Sequence, residues 1–230
     1  MSADTHAHEG HDGHGHHGPK WLQHHFETPI QQFESSKLGM WAFLAQEILF
    51  FSGLFVAYGI FRIAYPEAFA AGSMQLNKIM GGANTIVLLF SSLTAALAVR
   101  SAQLGKKDEV TRYLFITIIC AFGFMVIKYF EYTAKFEHGL LPGIHWNPSH
   151  LVGIDAPLDH MHVFFGVYFM LTGLHGVHVL IGIGILFWIM MRNHNGEFSK
   201  EYWTPVDLAA LYWHLVDLVW IYLFPLLYLI

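Results

Sequence analysis

Glu47, Lys128, Glu131, His175, His178, His214 and Asp217 all stand inside long apolar stretches of this sequence. In a bilayer, a charged side chain at mid-depth costs roughly 2.5–3.5 kcal/mol on insertion scales, so each of these groups needs a reason to be there. His175 and His178 are three residues apart, as are His214 and Asp217, and that spacing places each pair on one face of a helix. Lys128, Glu131 and Lys135 follow at i,i+3 and i,i+4 intervals and read as a local ion-pair set close to outer headgroups. Three chemistries fit the deeper groups: a proton or ion pathway, histidine ligation of haem iron, or an interhelical hydrogen-bond network that fixes packing. A proton channel needs a chain of groups reaching both surfaces, whereas these cluster near one depth. The residue types alone leave all three readings open.

Other candidate chemistries are weaker. Eight histidines fall by position 25: His6, His8, His11, His14, His16, His17, His24 and His25. Residues 1–19 lack large apolar side chains and are expected to be a disordered, solvated tail. Such a tract attracts zinc, copper or nickel, but this spacing fits no fixed ligand geometry. Cys120, the single cysteine, lies in an apolar run and cannot form an internal disulfide. The chain has no P-loop, nucleophile elbow, HExxH or dinucleotide glycine fingerprint. A net charge of -5 with neutral histidine supplies no basic face, so nucleic acid is not an expected partner. No duplication suggests an inverted-repeat transporter. The role that remains is that of a partner in a larger membrane assembly.

The elements that must position these groups are transmembrane helices. Only 13% of the 230 residues are charged, half the share usual in a soluble domain. Five apolar runs are long enough to cross a hydrocarbon core: residues 38–61, 79–99, 113–134, 163–191 and 208–230. The expected fold is all-α, a polytopic bundle of five transmembrane helices over 38–230. Residues 20–37 alternate apolar and polar side chains and are expected to form a short interfacial amphipathic helix, with Thr28, Pro29 and Gln31 as its capping box. No basic n-region directly precedes Leu38, so the first helix is expected to serve as its own insertion signal. The side holding the N-terminus carries Lys20, Lys37, Arg100, Lys106, Lys107, Arg112, Arg192 and Lys200, and the opposite side Arg62, Lys78 and Lys135. The positive-inside rule then places the N-terminus in the cytoplasm and the C-terminus in the periplasm. The longest loop, about residues 135–162, is expected to be a structured external loop.

With the runs placed, five segments resemble one family. Leu211-Tyr212-Trp213-His214-Leu215-Val216-Asp217-Leu218-Val219-Trp220 is similar to the Tyr-Trp-His-Phe-Val-Asp-Val-Val-Trp signature of haem-copper oxidase subunit III. Gln46-Glu47-Ile48-Leu49-Phe50-Phe51-Ser52-Gly53 resembles that family's Ser-Glu-Val-Leu-Phe-Phe segment, and Gly173-Leu174-His175-Gly176-Val177-His178-Val179 its Gly-Phe-His-Gly-Leu-His-Val. Phe130-Glu131-Tyr132 and Asn84-Thr85 also fit, so the resemblance runs from about Leu38 to the C-terminus with the segments in order.

The resemblance implies a non-catalytic subunit of a proton-pumping respiratory oxidase in the bacterial plasma (inner) membrane. Such a subunit has no catalytic, cofactor-binding or metal-ligating residue of its own; haems and copper lie in partner subunits I and II. It packs on subunit I as main contact, within reach of subunit II and a subunit IV, binds structural phospholipid, and supports proton uptake and sustained turnover. The resemblance thus favours packing for His175 and His178. It places Glu47 on the family's carbodiimide-reactive membrane carboxylate, expected neutral and shielded from water, and Arg192 on an arginine that meets lipid headgroups. Glu131, His214 and Asp217 complete the expected buried polar network. The first segment lies nearer the cytochrome c oxidase branch (aa3/caa3 type), with cytochrome c as electron donor, than the bo-type ubiquinol oxidase or nitric-oxide-reductase-associated branches. Members with seven helices have two further N-terminal helices forming a lipid-filled cleft, so cleft sites do not transfer directly to five helices.

Overall fold

A computed structural model describes residues 21–143, 146–148, 151 and 159–230. The His-rich tail and most of the expected external loop lie outside these residues. The described residues form six helices: α1 (Pro29–Ala64), α2 (Pro66–Met74), α3 (Lys78–Gln103), α4 (Lys107–Glu137), α5 (Met161–His194) and α6 (Thr204–Tyr228). All but α2 are long and apolar enough to cross a membrane, as the five runs predicted.

The helices outrun the apolar runs. α1 has 36 residues, about 54 Å at 1.5 Å per residue, well beyond a hydrocarbon core of about 30 Å. The reason is local chemistry at its start. Thr28 Oγ1 accepts from Gln31 N at 3.2 Å, Pro29 occupies the first turn, and Gln31 Oε1 accepts from Glu27 N at 2.9 Å. The cap read from the sequence is present. The separate interfacial helix over residues 20–37 is not: the chain turns over 21–28, and from Pro29 onward the same residues are the first turns of α1. α2 was not expected. Its nine residues bury Ala68, Phe69, Ala71, Gly72 and Ser73 between the first and second spans.

α6 is the centre of the bundle. Trp213, Trp220, Leu223, Leu227 and Tyr228 are fully buried on it, and it packs on α1, α2, α3 and α5. Lipid is as apolar as leucine, so these helices associate through close packing and hydrogen bonds rather than hydrophobic burial. Gly182 of α5 shows the closeness: a Cβ there would lie 2.8 Å from the Trp213 ring. α1 is peripheral by comparison. It touches only α2, α5 and α6 and buries just Gln32, Leu44, Glu47, Phe51 and Tyr58.

Candidate functional site: a buried polar network and a membrane groove

Glu47 stands at the middle of α1 and His178 at the middle of α5, and Glu47 Oε2 lies 3.0 Å from His178 Nε2. His178 Nδ1 lies 2.9 Å from the Leu174 carbonyl, one turn earlier. A carbonyl only accepts, so Nδ1 carries a proton. The contact to Glu47 then holds one further proton, on the carboxyl or on the imidazole. In either arrangement the pair has no net charge, which is how two ionisable groups sit at mid-bilayer depth at modest cost. Tyr212 donates its hydroxyl to the His178 carbonyl at 3.0 Å, and Phe51 packs against the imidazole.

His175 does not join this pair. Three residues on a helix are 60° short of a full turn, and the bundle is tight enough to use that difference. His178 turns toward α1, whereas His175 is fully buried between Phe124 of α4 and Trp220 of α6. Neither of its ring nitrogens has a hydrogen-bond partner among the described residues. His214 and Asp217 do not bond each other, although both face Ser92 of α3. His214 Nδ1 bonds Ser92 Oγ of α3 at 2.7 Å, while the Asp217 carboxyl is buried beside the same serine without completing a hydrogen bond to any described residue.

The Lys128–Glu131 ion pair expected from the spacing is present in the last turns of α4, and all three side chains of the set are buried within the bundle. Lys128 Nζ donates to Glu131 Oε2 at 2.9 Å and to the Tyr228 hydroxyl at 2.6 Å. Glu131 Oε1 accepts from Tyr228 at 2.6 Å and from Tyr168 at 3.1 Å. The ammonium lies 4.5 Å from the Trp220 ring centroid, with the Tyr168 and Tyr228 rings also facing it, a cation–π arrangement. Lys135 leaves this set and donates to the Gln75 carbonyl after α2. Tyr168 and Tyr228 were missed because the groups they bond lie 37 and 97 residues away, and no local pattern carries that information.

A groove of about 610 Å³ runs between α1, α5 and α6. Its walls are largely apolar, from Met40, Phe43, Ile181, Ile185 and Leu208. The Glu47–His178 pair lines one end, and Arg192, Gln32, Ser36 and Tyr202 the other. Arg192 is already engaged: its Nε donates to Glu197 at 2.6 Å, and the guanidinium stacks on Trp188 and Phe198. Thus, of the six expected residues, only Glu47 and His178 bond each other directly, His214 and Asp217 share Ser92, and Glu131 and His175 lie elsewhere in the bundle. No three His, Cys, Asp or Glu side chains converge as a metal site among the described residues.

The comparisons with known proteins agree with this architecture. The family model for cytochrome c oxidase subunit III matches residues 154–230. Cytochrome c oxidase subunit 3 of Corynebacterium diphtheriae is 31% identical over 199 residues, covering 84% of this chain and 87% of that protein. The subunit 3 of Drosophila melanogaster is 30% identical over 199 residues, covering 83% and 67%. That of Loxodonta africana is 32% identical over 211 residues, covering 89% and 72%. The chain belongs to the haem-copper oxidase subunit III family and is a multi-pass membrane subunit of a multi-subunit respiratory oxidase.

Proposed function

We propose that this chain is the non-catalytic subunit III of an aa3/caa3-type cytochrome c oxidase in the bacterial inner membrane, with its N-terminal end cytoplasmic and its C-terminus periplasmic. The complex would take electrons from cytochrome c and reduce oxygen at haem and copper centres held by subunits I and II. This chain would pack on subunit I, hold structural phospholipid, and support proton uptake and sustained turnover by its shape. The observation that carries this reading is the groove between α1, α5 and α6. On α1 it is lined from Gln32 to Glu47, and the stretch from Ser36 to Glu47, which holds its apolar Met40 and Phe43, is about 16 Å long along the helix axis. That length is about half a hydrocarbon core, the reach of one leaflet's acyl chain. The headgroup would sit by Arg192, Gln32, Ser36 and Tyr202, and the tail would end against the net-neutral Glu47–His178 pair. Arg192 has its Nη groups to offer a phosphate, in competition with Glu197.

Purification in mild detergent through a tag on this chain, with mass identification of partners and a reduced-minus-oxidised spectrum, tests the proposal. Haem-bearing subunit I and a copper-containing subunit II should co-purify with phospholipid. A subunit II without copper would instead indicate a ubiquinol oxidase of the bo type. A lone chain without haem-bearing partners would refute the proposal.

A further inference from the structure

The chain before α1 does not simply lead into the helix. Residues 21–28 turn against its first turn and are fastened there by one side chain. Gln32, in that first turn, is buried. Its Oε1 accepts from Gln23 N at 2.9 Å, and its Nε2 donates to the Trp21 carbonyl at 3.3 Å. A primary amide carries a donor and an acceptor together, so one glutamine satisfies a backbone N–H and a backbone C=O at once. The Gln23 carbonyl also accepts from Phe26 N at 3.0 Å, which closes the turn.

This fastening delivers Trp21 to the turn between α5 and α6. The Trp21 ring stacks on Tyr202, with centroids 5.0 Å apart and planes 13° apart. Tyr202 meets Phe198 at 6.1 Å, and the Arg192 guanidinium lies 5.3 Å from the Phe198 ring centroid. A series of rings thus runs from the segment before α1 to the arginine. Gln32, Arg192 and Tyr202 line the polar end of the groove between α1, α5 and α6, whereas Trp21 stands behind Tyr202. Two further contacts close the same end: Lys37 pairs with Asp207 at 3.1 Å, and Phe33 packs on Trp203 with centroids 5.7 Å apart. At the other end the Glu47–His178 bond ties α1 to α5. Between Gln32 and Glu47, α1 buries only Leu44, so the fastenings at its two ends carry much of what holds that wall of the groove.

We infer that residues 21–28 form a clasp that sets how long a phospholipid stays in the groove, with Trp21 as the residue that positions Tyr202, and through it Arg192, against the headgroup. The inference rests on the reading of the groove as a lipid site and adds what retains the lipid there. With the clasp closed, the α1 wall and the headgroup partners on the turn between α5 and α6 are held together. With Trp21 withdrawn, Tyr202 loses its stacking partner, that end of the groove loosens, and the lipid leaves more readily.

The test uses the whole oxidase in mild detergent, mixed with micelles containing deuterated phosphatidylglycerol and phosphatidylethanolamine. Mass analysis over time follows the replacement of phospholipid already bound. The lipid that the parent retains and Ile181→Trp lacks is the groove's own, because Ile181 lines the groove. In Trp21→Ala its replacement should run roughly two- to tenfold faster, the worth of one aromatic pair. Trp21→Phe keeps a ring for Tyr202 and should restore the parental rate. Replacement at the parental rate in Trp21→Ala, with the groove's lipid present, would overturn the clasp. No difference in retained lipid between the parent and Ile181→Trp would instead refute the reading of the groove as a lipid site.

Discussion

Lys128 and Tyr228 are one hundred residues apart in the chain, yet Lys128 Nζ donates to the Tyr228 hydroxyl at 2.6 Å, and the same hydroxyl donates onward to Glu131. This closed triangle ties the last turn of α6 to α4. Lys128→Met should therefore be severe. It leaves the Glu131 carboxyl buried without its cation, a loss of about 3–5 kcal/mol in comparable buried pairs. Tyr228→Phe removes only hydrogen bonds and should cost about 1–3 kcal/mol. Thermal unfolding of the purified complex, followed through release of this chain, should rank the two variants in that order. Equal midpoints for the two variants would mean that the buried cation contributes no more than the Tyr228 hydrogen bonds, and midpoints equal to the parent would mean that the triangle does not stabilise the chain. The double variant Lys128→Met with Glu131→Gln should recover part of the single loss, because no charge is then left alone.

Much of this arrangement was legible in the sequence, and the part that was not has a physical reason. Apolar runs of membrane length revealed five spans because the bilayer imposes length directly. The Thr28 cap was legible because capping is local. The fate of each polar group was not. His175 and His178 share a helix face at the resolution of spacing arguments, but their rings enter different interhelical spaces, toward α6 and toward α1. Lys128 and Glu131 were correctly adjacent, yet their burial depends on Tyr168 and Tyr228 from two other helices. Partner choice in a bundle is set by helix rotation, which a single-helix pattern does not encode.

The net-neutral pair at Glu47 and His178 predicts a difference between two substitutions. Glu47→Gln keeps the shape and offers an N–H to the His178 ring, so assembly and the haem spectrum of the complex should be preserved. Glu47→Leu leaves Nε2 facing apolar groups, a penalty of about 1–3 kcal/mol, and loosens a helix that buries only five residues. Limited proteolysis of the N-terminal region in membranes reads this loosening. Cleavage should accelerate for Glu47→Leu and stay at the parental rate for Glu47→Gln. Failure of Glu47→Gln to assemble would contradict the hydrogen-bonded, uncharged arrangement.

If the groove holds the proposed phospholipid, filling it should remove that lipid while leaving the fold. Ile181 lines the groove and is half exposed, so Ile181→Trp adds bulk into open space rather than into the packed core. Quantitative mass analysis of phospholipid retained by the purified complex should fall by one molecule per complex, and turnover should decay sooner during sustained oxygen consumption. An unchanged lipid count would place the retained phospholipid elsewhere on the oxidase.

Arg192 and Glu197 give opposite predictions for that same lipid. The guanidinium is held by the Glu197 carboxylate at 2.6 Å and by stacking on Trp188 and Phe198, so its position does not depend on the carboxylate alone. Glu197→Ala should leave the arginine in place and free its Nε for a phosphate, raising the share of anionic phospholipid that survives detergent washing. Arg192→Ala should lower it. The Glu197 side chain is well exposed, and exposed ion pairs are worth about 0–1 kcal/mol, so neither change should unfold the chain. Lipid retention, measured by mass analysis across a detergent series, should therefore separate while thermal stability does not. If both variants lose lipid equally, Glu197 helps to orient Arg192 toward the headgroup rather than competing with it.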